Sequence, residues 1–177
     1  PWGTYLAGEE NFNFYFAGGP QRDADQRRWG LTEQAWLRWP EHDARFDATR
    51  HPHEFNRFGW IVEIDPMDPT AAPVKRTALG RGVHEGAWVG ATRDGRAVVY
   101  SGEDARFEYI TKFVSAGRVA QPAAGESAAQ ANRHLLDSGT LYVARFDADG
   151  GGHWLPMVQG QGPLTAAASR EDVVRAN

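Results

Sequence analysis

The chain has 177 residues, 41% hydrophobic and 12% aromatic, a composition that excludes disorder and suffices for one packed core. Its net charge of −4 gives no basic footprint for nucleic acid, and no apolar run approaches the roughly 18 residues of a membrane helix. With no cysteine, disulfides and thiolate ligands are excluded, while the redox compartment stays open.

In chain order, β-rich and partly alternating runs predict strands over residues 2–6, 59–64, 74–79, 87–92, 97–100, 109–114, 140–146 and 153–158. Thr92-Arg93-Asp94-Gly95-Arg96 is a hairpin signal, because Asp-Gly supplies residues that tolerate positive φ. The run from Asp147 through Gly150, Gly151 and Gly152 is a looser one. Thr32 is expected to cap a helix over residues 33–38 that Pro40 stops, and a second helix is expected over 127–136. Residues 21–58 are otherwise irregular. Trp29, Trp36, Trp39, Phe46, Phe55 and Phe58 predict a loop packed on a surface. The chain opens at Pro1 without Met or signal peptide. It closes on a helix expected over 169–176, whose Ser169 and Asp172 form a variant capping box. Both ends are expected to be cut from a longer protein, making residues 1–177 a single fragment.

Trp60-Ile61-Val62-Glu63-Ile64-Asp65 is echoed by Tyr142-Val143-Ala144-Arg145-Phe146-Asp147, and residues 109–115 form a looser copy. Short strands, tight turns and echoes tens of residues apart suit blades of a β-propeller, and a sandwich fits nearly as well on pattern alone. The expected fold is therefore all-β.

Three acidic clusters lie beside glycines at strand ends: Gly8-Glu9-Glu10, His84-Glu85-Gly86 and Gly102-Glu103-Asp104. Neighbouring carboxylates repel each other, and a cation reverses that cost. Their hard oxygens suit Ca²⁺, Mg²⁺, Mn²⁺ or Fe³⁺. Glycine beside an acid lets the backbone turn towards an ion. His84 could ligate through a ring nitrogen or orient Glu85. Taken singly, each cluster also reads as an ordinary solvated turn; the recurrence is what points to a metal site. Other features are bland. His51, His53 and His42 read as surface residues, and His153 is expected to pack near Trp154. Arg106 and Lys112 lie near the third cluster and could meet an anion. No P-loop, nucleophile elbow or paired-histidine zinc motif is present.

With these residues in place, the chain resembles the PhoX family of secreted alkaline phosphatases. Pro1-Trp2-Gly3-Thr4-Tyr5-Leu6 with Glu9-Glu10-Asn11 is similar to the family's Pro-Trp-Gly-Thr-Tyr/Trp-Leu-Thr-Cys-Glu-Glu-Asn. Further similar blocks are residues 56–66, 73–81, 84–87, 102–104 with 108–110, 112–115 and 139–146. The resemblance implies a six-bladed propeller, of which this chain is part, with iron and calcium at its centre and phosphate monoesters as substrates. It implies Glu85 as an iron ligand, Glu9 and Glu10 against the metal cluster, Asp104 as a further ligand or a residue behind the ligands, and His84 and Glu103 behind them. It also implies a periplasmic or secreted parent protein. Two departures matter. Gly8 stands where the family has its cysteine, which argues against an intact di-iron site. The family's downstream Asp-Arg-Pro-Glu motif is not found before Asn177. The isolated chain is thus expected to be inactive, with open strand edges inviting self-association. A non-catalytic scaffold and a calcium-dependent esterase are the alternatives.

Overall fold

The computed structural model describes residues 2–161 and 164. All eight expected strands are present: β1 (Tyr5–Gly8), β2 (Ile61–Ile64), β3 (Val74–Lys75), β4 (Trp88–Ala91), β5 (Arg96–Gly102), β6 (Ile110–Arg118), β7 (Gly139–Phe146) and β8 (Gly152–Pro156). They form two antiparallel meanders. One has the order β1-β2-β3, and the other has the order β4-β5-β6-β7-β8. The fold is all-β with few short helices, a partial β-propeller.

The hairpin between β4 and β5 closes as its sequence predicts. Gly95 adopts φ of 86°, its amide donates to the Thr92 carbonyl, and the Thr92 amide donates to the Arg96 carbonyl. Gly150, at φ of 87°, does the same for the turn between β7 and β8. Alternation along β5 and β6 buries Ala97, Val99 and Phe113, which meet Trp2, Ile61, Leu79, Leu135 and Leu136 in the main core. Residues from both sheets share this core, so it fixes the two sheets together.

Three expected elements differ from what is found. β3 stops at Lys75 and a 3-10 turn occupies Thr77–Leu79, because Arg76 turns inward to a buried carboxylate. No helix forms over residues 33–38. There the Gly18 and Gly19 amides donate to the Thr32 and Glu33 carbonyls, and the Leu37 amide donates to the Phe14 carbonyl. The segment spends its polar backbone on its neighbour rather than on itself. The helix of this region is instead α1 (Ala24–Arg28), closed by a capping box between Asp23 and Gln26. The second expected helix is cut to α2 (Ala128–Ala131), capped by Ser127. The Asn132 amide ends it by bonding both the Ala120 backbone and the Ala128 carbonyl. The expected terminal helix over 169–176 lies outside the described residues.

The irregular segment is held by a second core of Phe16, Leu31, Phe46, Ala48 and Phe55, against which Tyr15, Trp29 and Phe58 pack. Trp29, Phe46, Phe55 and Phe58 thus pack as expected. Trp36, stacked on Phe14 at 4.6 Å, remains 70% exposed, and Trp39 is also exposed.

Candidate functional site

The three glycine-flanked acidic segments meet at one junction. β1 ends at Gly8, which pairs with Ile61 of β2. Gly8 lies against residue 84: a Cβ built on it would stand 2.3 Å from the His84 carbonyl oxygen and 3.2 Å from the His84 Cβ. His84 in turn forms an antiparallel bridge with Glu103, and the Asp104 amide donates to the Val83 carbonyl. The backbone therefore brings together the three clusters that sequence spacing singles out.

The side chains behave differently from one another. The Glu9 carboxylate is fully engaged: Oε1 accepts from Lys75 Nζ at 2.7 Å, and Oε2 accepts from the Trp60 amide at 3.0 Å. Lys75 is held there by the Phe58 ring, 4.1 Å from its Nζ, and by the Arg57 carbonyl. Glu10 accepts only from the neighbouring Asn11 amide. The side chains of Glu85 and Asp104 are exposed. Glu9 also lines an open groove with Arg45, Glu54, Arg57 and Lys75, in which Glu54 faces both arginines as Glu9 faces Lys75.

His84 is buried, with Nδ1 2.9 Å from Ser101 Oγ and Nε2 3.2 Å from the Gly80 carbonyl. A carbonyl can only accept, and Ser101 gives its one hydroxyl proton to the Gly86 carbonyl at 2.7 Å, so both contacts call on a ring N–H and a neutral imidazole supplies only one of them. Burial holds the imidazole below its ordinary pKa, partly offset by the Gly80 carbonyl and by the Glu9 charge. Both ring nitrogens are thus engaged, which fits the orienting role better than the ligating one.

Glu103 is the most perturbed acid. Burial, and then the negative charge of Glu108, push its carboxyl up to about 7; Arg28 and the Val83 amide oppose this. Arg28 is shared, because it pairs with Glu108 at 2.5 Å. The carboxyl rests on Gly82, where an added Cβ would meet Glu103 Cδ at 2.6 Å. Gly8 and Gly82 therefore serve close approach, whereas Gly86 and Gly102 have open space around them.

Among the described residues no group of three or more histidine, aspartate or glutamate side chains is placed to hold a metal ion. The donors do not fit the iron cluster that the resemblance implies: Gly8 offers no side chain, Glu9 is paired with Lys75, and the ring of His84 is engaged. For calcium the donor chemistry fits, since Glu10, Glu85 and Asp104 present hard oxygens, but the described residues do not gather them into a complete shell.

The remaining expected residues fall elsewhere. Lys112 lies between the rings of Tyr142 and Trp154, at 4.9 and 4.5 Å, on the outer face of the five-stranded sheet. Burial lowers its pKa. Arg106 is exposed, as are His42, His51 and His53. His153 does not pack as expected; it is exposed, and its Nε2 pairs with Asp147 at 3.0 Å. Sequence reasoning missed Lys75. The alternation of β3 opposite Glu63 and Val62 places it near Glu9, and a lysine there was the available signal.

A propeller-type β protein with an acidic junction at its strand ends is the class that this fold and geometry define. The family described as "Alkaline phosphatase PhoX" matches residues 1–177, and the chain belongs to it. The chain is similar to a solved structure, "Pseudomonas fluorescens PhoX in complex with vanadate, a transition state analogue", with 46% identity and a TM-score of 0.84. The match covers 98% of this chain and 32% of that one, so the chain spans about a third of the length of that relative. No curated protein matches the chain.

Proposed function

We propose that the chain is part of a metal-dependent phosphatase that hydrolyses phosphate monoesters, and that the 177 residues alone do not turn over substrate efficiently. The observation that carries the reading is the meeting of three acidic segments at one junction, with Gly8 against His84 and His84 bridged to Glu103. Its chemical direction comes from the family and from the vanadate complex of the Pseudomonas relative.

In this reading Glu10, Glu85 and Asp104 would present oxygens to calcium, together with donors from the rest of a longer protein. A bound cation there supplies neutralisation of charge on phosphoryl oxygens. Glu9 is positioned by Lys75 and the Trp60 amide, and His84 and Glu103 hold the loop that carries Glu85. The groove beside Glu9 holds three cations against the carboxylates of Glu9 and Glu54, a slight excess of positive charge towards an anionic ester. The test is hydrolysis of p-nitrophenyl phosphate with added calcium and iron, by this chain and by a protein of the relative's full length. Turnover by the longer protein and not by the chain is expected. Rapid turnover by the chain alone, or none by the longer protein, overturns the proposal.

A second reading, a non-catalytic binding or scaffold module, is favoured by one observation. The Glu9 carboxylate is already neutralised by Lys75 and leaves little charge for a metal. Absence of both turnover and bound metal in the longer protein would select it.

A further inference from the structure

The contact between Gly8 and His84 has no slack. The atoms that a Cβ at position 8 would meet are the His84 carbonyl oxygen at 2.3 Å and the His84 carbonyl carbon at 3.1 Å. These are backbone atoms and cannot rotate aside. The segment that carries them is fixed from several directions. The imidazole of His84 is enclosed, with Ser101 Oγ at one nitrogen and the Gly80 carbonyl at the other. Its backbone is bridged to Glu103, and the Val83 carbonyl receives the Asp104 amide. On the other side, Gly8 is the last residue of β1, pinned in register with Ile61, and the next amide, of Glu9, donates to the Trp60 carbonyl.

We infer that position 8 is committed to backbone packing, so that this junction closes on itself and holds together without the iron that the family resemblance implies. The inference rests on reading the junction as the family's site. A side chain able to bridge two metals would have to start where the His84 carbonyl oxygen stands. No cysteine exists elsewhere in the chain to take its place. The work that a bridging ligand would do, tying the end of β1 to the His84 segment, is done here by van der Waals contact between two backbones. The remaining free donors are carboxylate oxygens, which need no ligand from position 8.

The test measures folding and metal content, not turnover. A protein of the relative's full length that carries these residues is prepared with iron and calcium supplied, assayed for bound iron, and melted with and without deferoxamine, which takes Fe³⁺ and leaves calcium in place. Gly8→Ala and Gly8→Cys variants are melted beside it. Bound iron well below one per chain and a melting temperature unmoved by deferoxamine are expected. Overpacking against a fixed backbone should lower the melting temperature of both variants by roughly 3–10 °C, with no recovery on adding iron. Near-stoichiometric iron in the parent protein, or a deferoxamine-induced fall of similar size, overturns the inference. So does a Gly8→Cys variant as stable as the parent that gains a thiolate-to-iron absorption band. If a variant fails to fold, iron content and the deferoxamine melt of the parent protein still decide. Hydrolysis of p-nitrophenyl phosphate by the longer protein is read separately, so a failed phosphatase assignment and a failed inference give different results.

Discussion

Arg76 and Glu63 form an ion pair 2.6 Å long in which both side chains are only 5% exposed. Glu63 Oε1 also accepts from the Trp2 indole and the Thr4 hydroxyl, while the Arg76 guanidinium reaches on to Asp137 and to the Arg133 carbonyl. A buried pair of this kind gains little over an apolar substitute, yet losing one partner strands the other.

Arg76→Ala is therefore expected to destabilise the chain by about 3–5 kcal/mol, because Glu63 would remain buried without its counter-charge. A urea titration followed by tryptophan fluorescence checks it. An unchanged midpoint would contradict the network's structural role.

Glu103 predicts a dependence on pH. Its folded-state carboxyl, raised to about 7, keeps its proton where the unfolded chain has already lost one. The resulting stability is present below the ordinary carboxyl value and lost as pH rises through 7. Glu103→Gln, which mimics the protonated form, should melt higher than the parent chain at pH 8, and the gap should close near pH 4.5. Melts across this range, compared pairwise, measure it; a gap independent of pH would contradict it.

Gly82 and Gly8 should respond differently to alanine. At Gly82 the added Cβ meets the tip of the Glu103 side chain, which can swing away. Gly82→Ala should cost less stability than Gly8→Ala. It should also flatten the pH dependence just described, by moving the carboxyl towards solvent. Equal costs at both positions would show that the backbone at residue 84 yields as easily as a side chain.

Lys75 competes for Glu9 with any cation. The pair is partly exposed, so its own contribution to stability is about 1 kcal/mol or less. Lys75→Met should leave the melting temperature nearly unchanged and strengthen calcium binding at the junction. Isothermal titration with calcium chloride compares the two proteins, and equal or weaker binding by the variant would remove Glu9 from the site.

The strands were legible because β-rich runs end in turn chemistry that admits one solution, as at Asp94-Gly95. The helix expected at 33–38 was not, because Thr32 and Glu33 bond backwards to Gly18 and Gly19, a partnership that no local pattern reveals. Asp23 and Gln26 carried a readable capping box that lacked an apolar helix behind it. At the site, the recurrence of acid beside glycine picked out segments whose backbones meet. It could not tell which glycines admit a neighbour and which merely turn, since that depends on what packs there: a carbonyl at Gly8, a carboxyl at Gly82, open space at Gly86 and Gly102. Nor could it show that Glu9 is answered by Lys75, because that pairing spans two strands of one sheet.

The two meanders impose different demands on the folding chain. The five-stranded sheet joins each strand to the next in sequence, and its longest connection is the one carrying α2 between Arg118 and Gly139. In the smaller sheet, β1 must find β2 across the whole aromatic segment between Gly8 and Ile61. Closing so long an excursion costs entropy before any pairing rewards it. The aromatic cluster of Phe16, Phe46 and Phe55 shortens that search by drawing the excursion's ends together. The acidic junction therefore depends on the longest closure in the described fold, that of β1 onto β2.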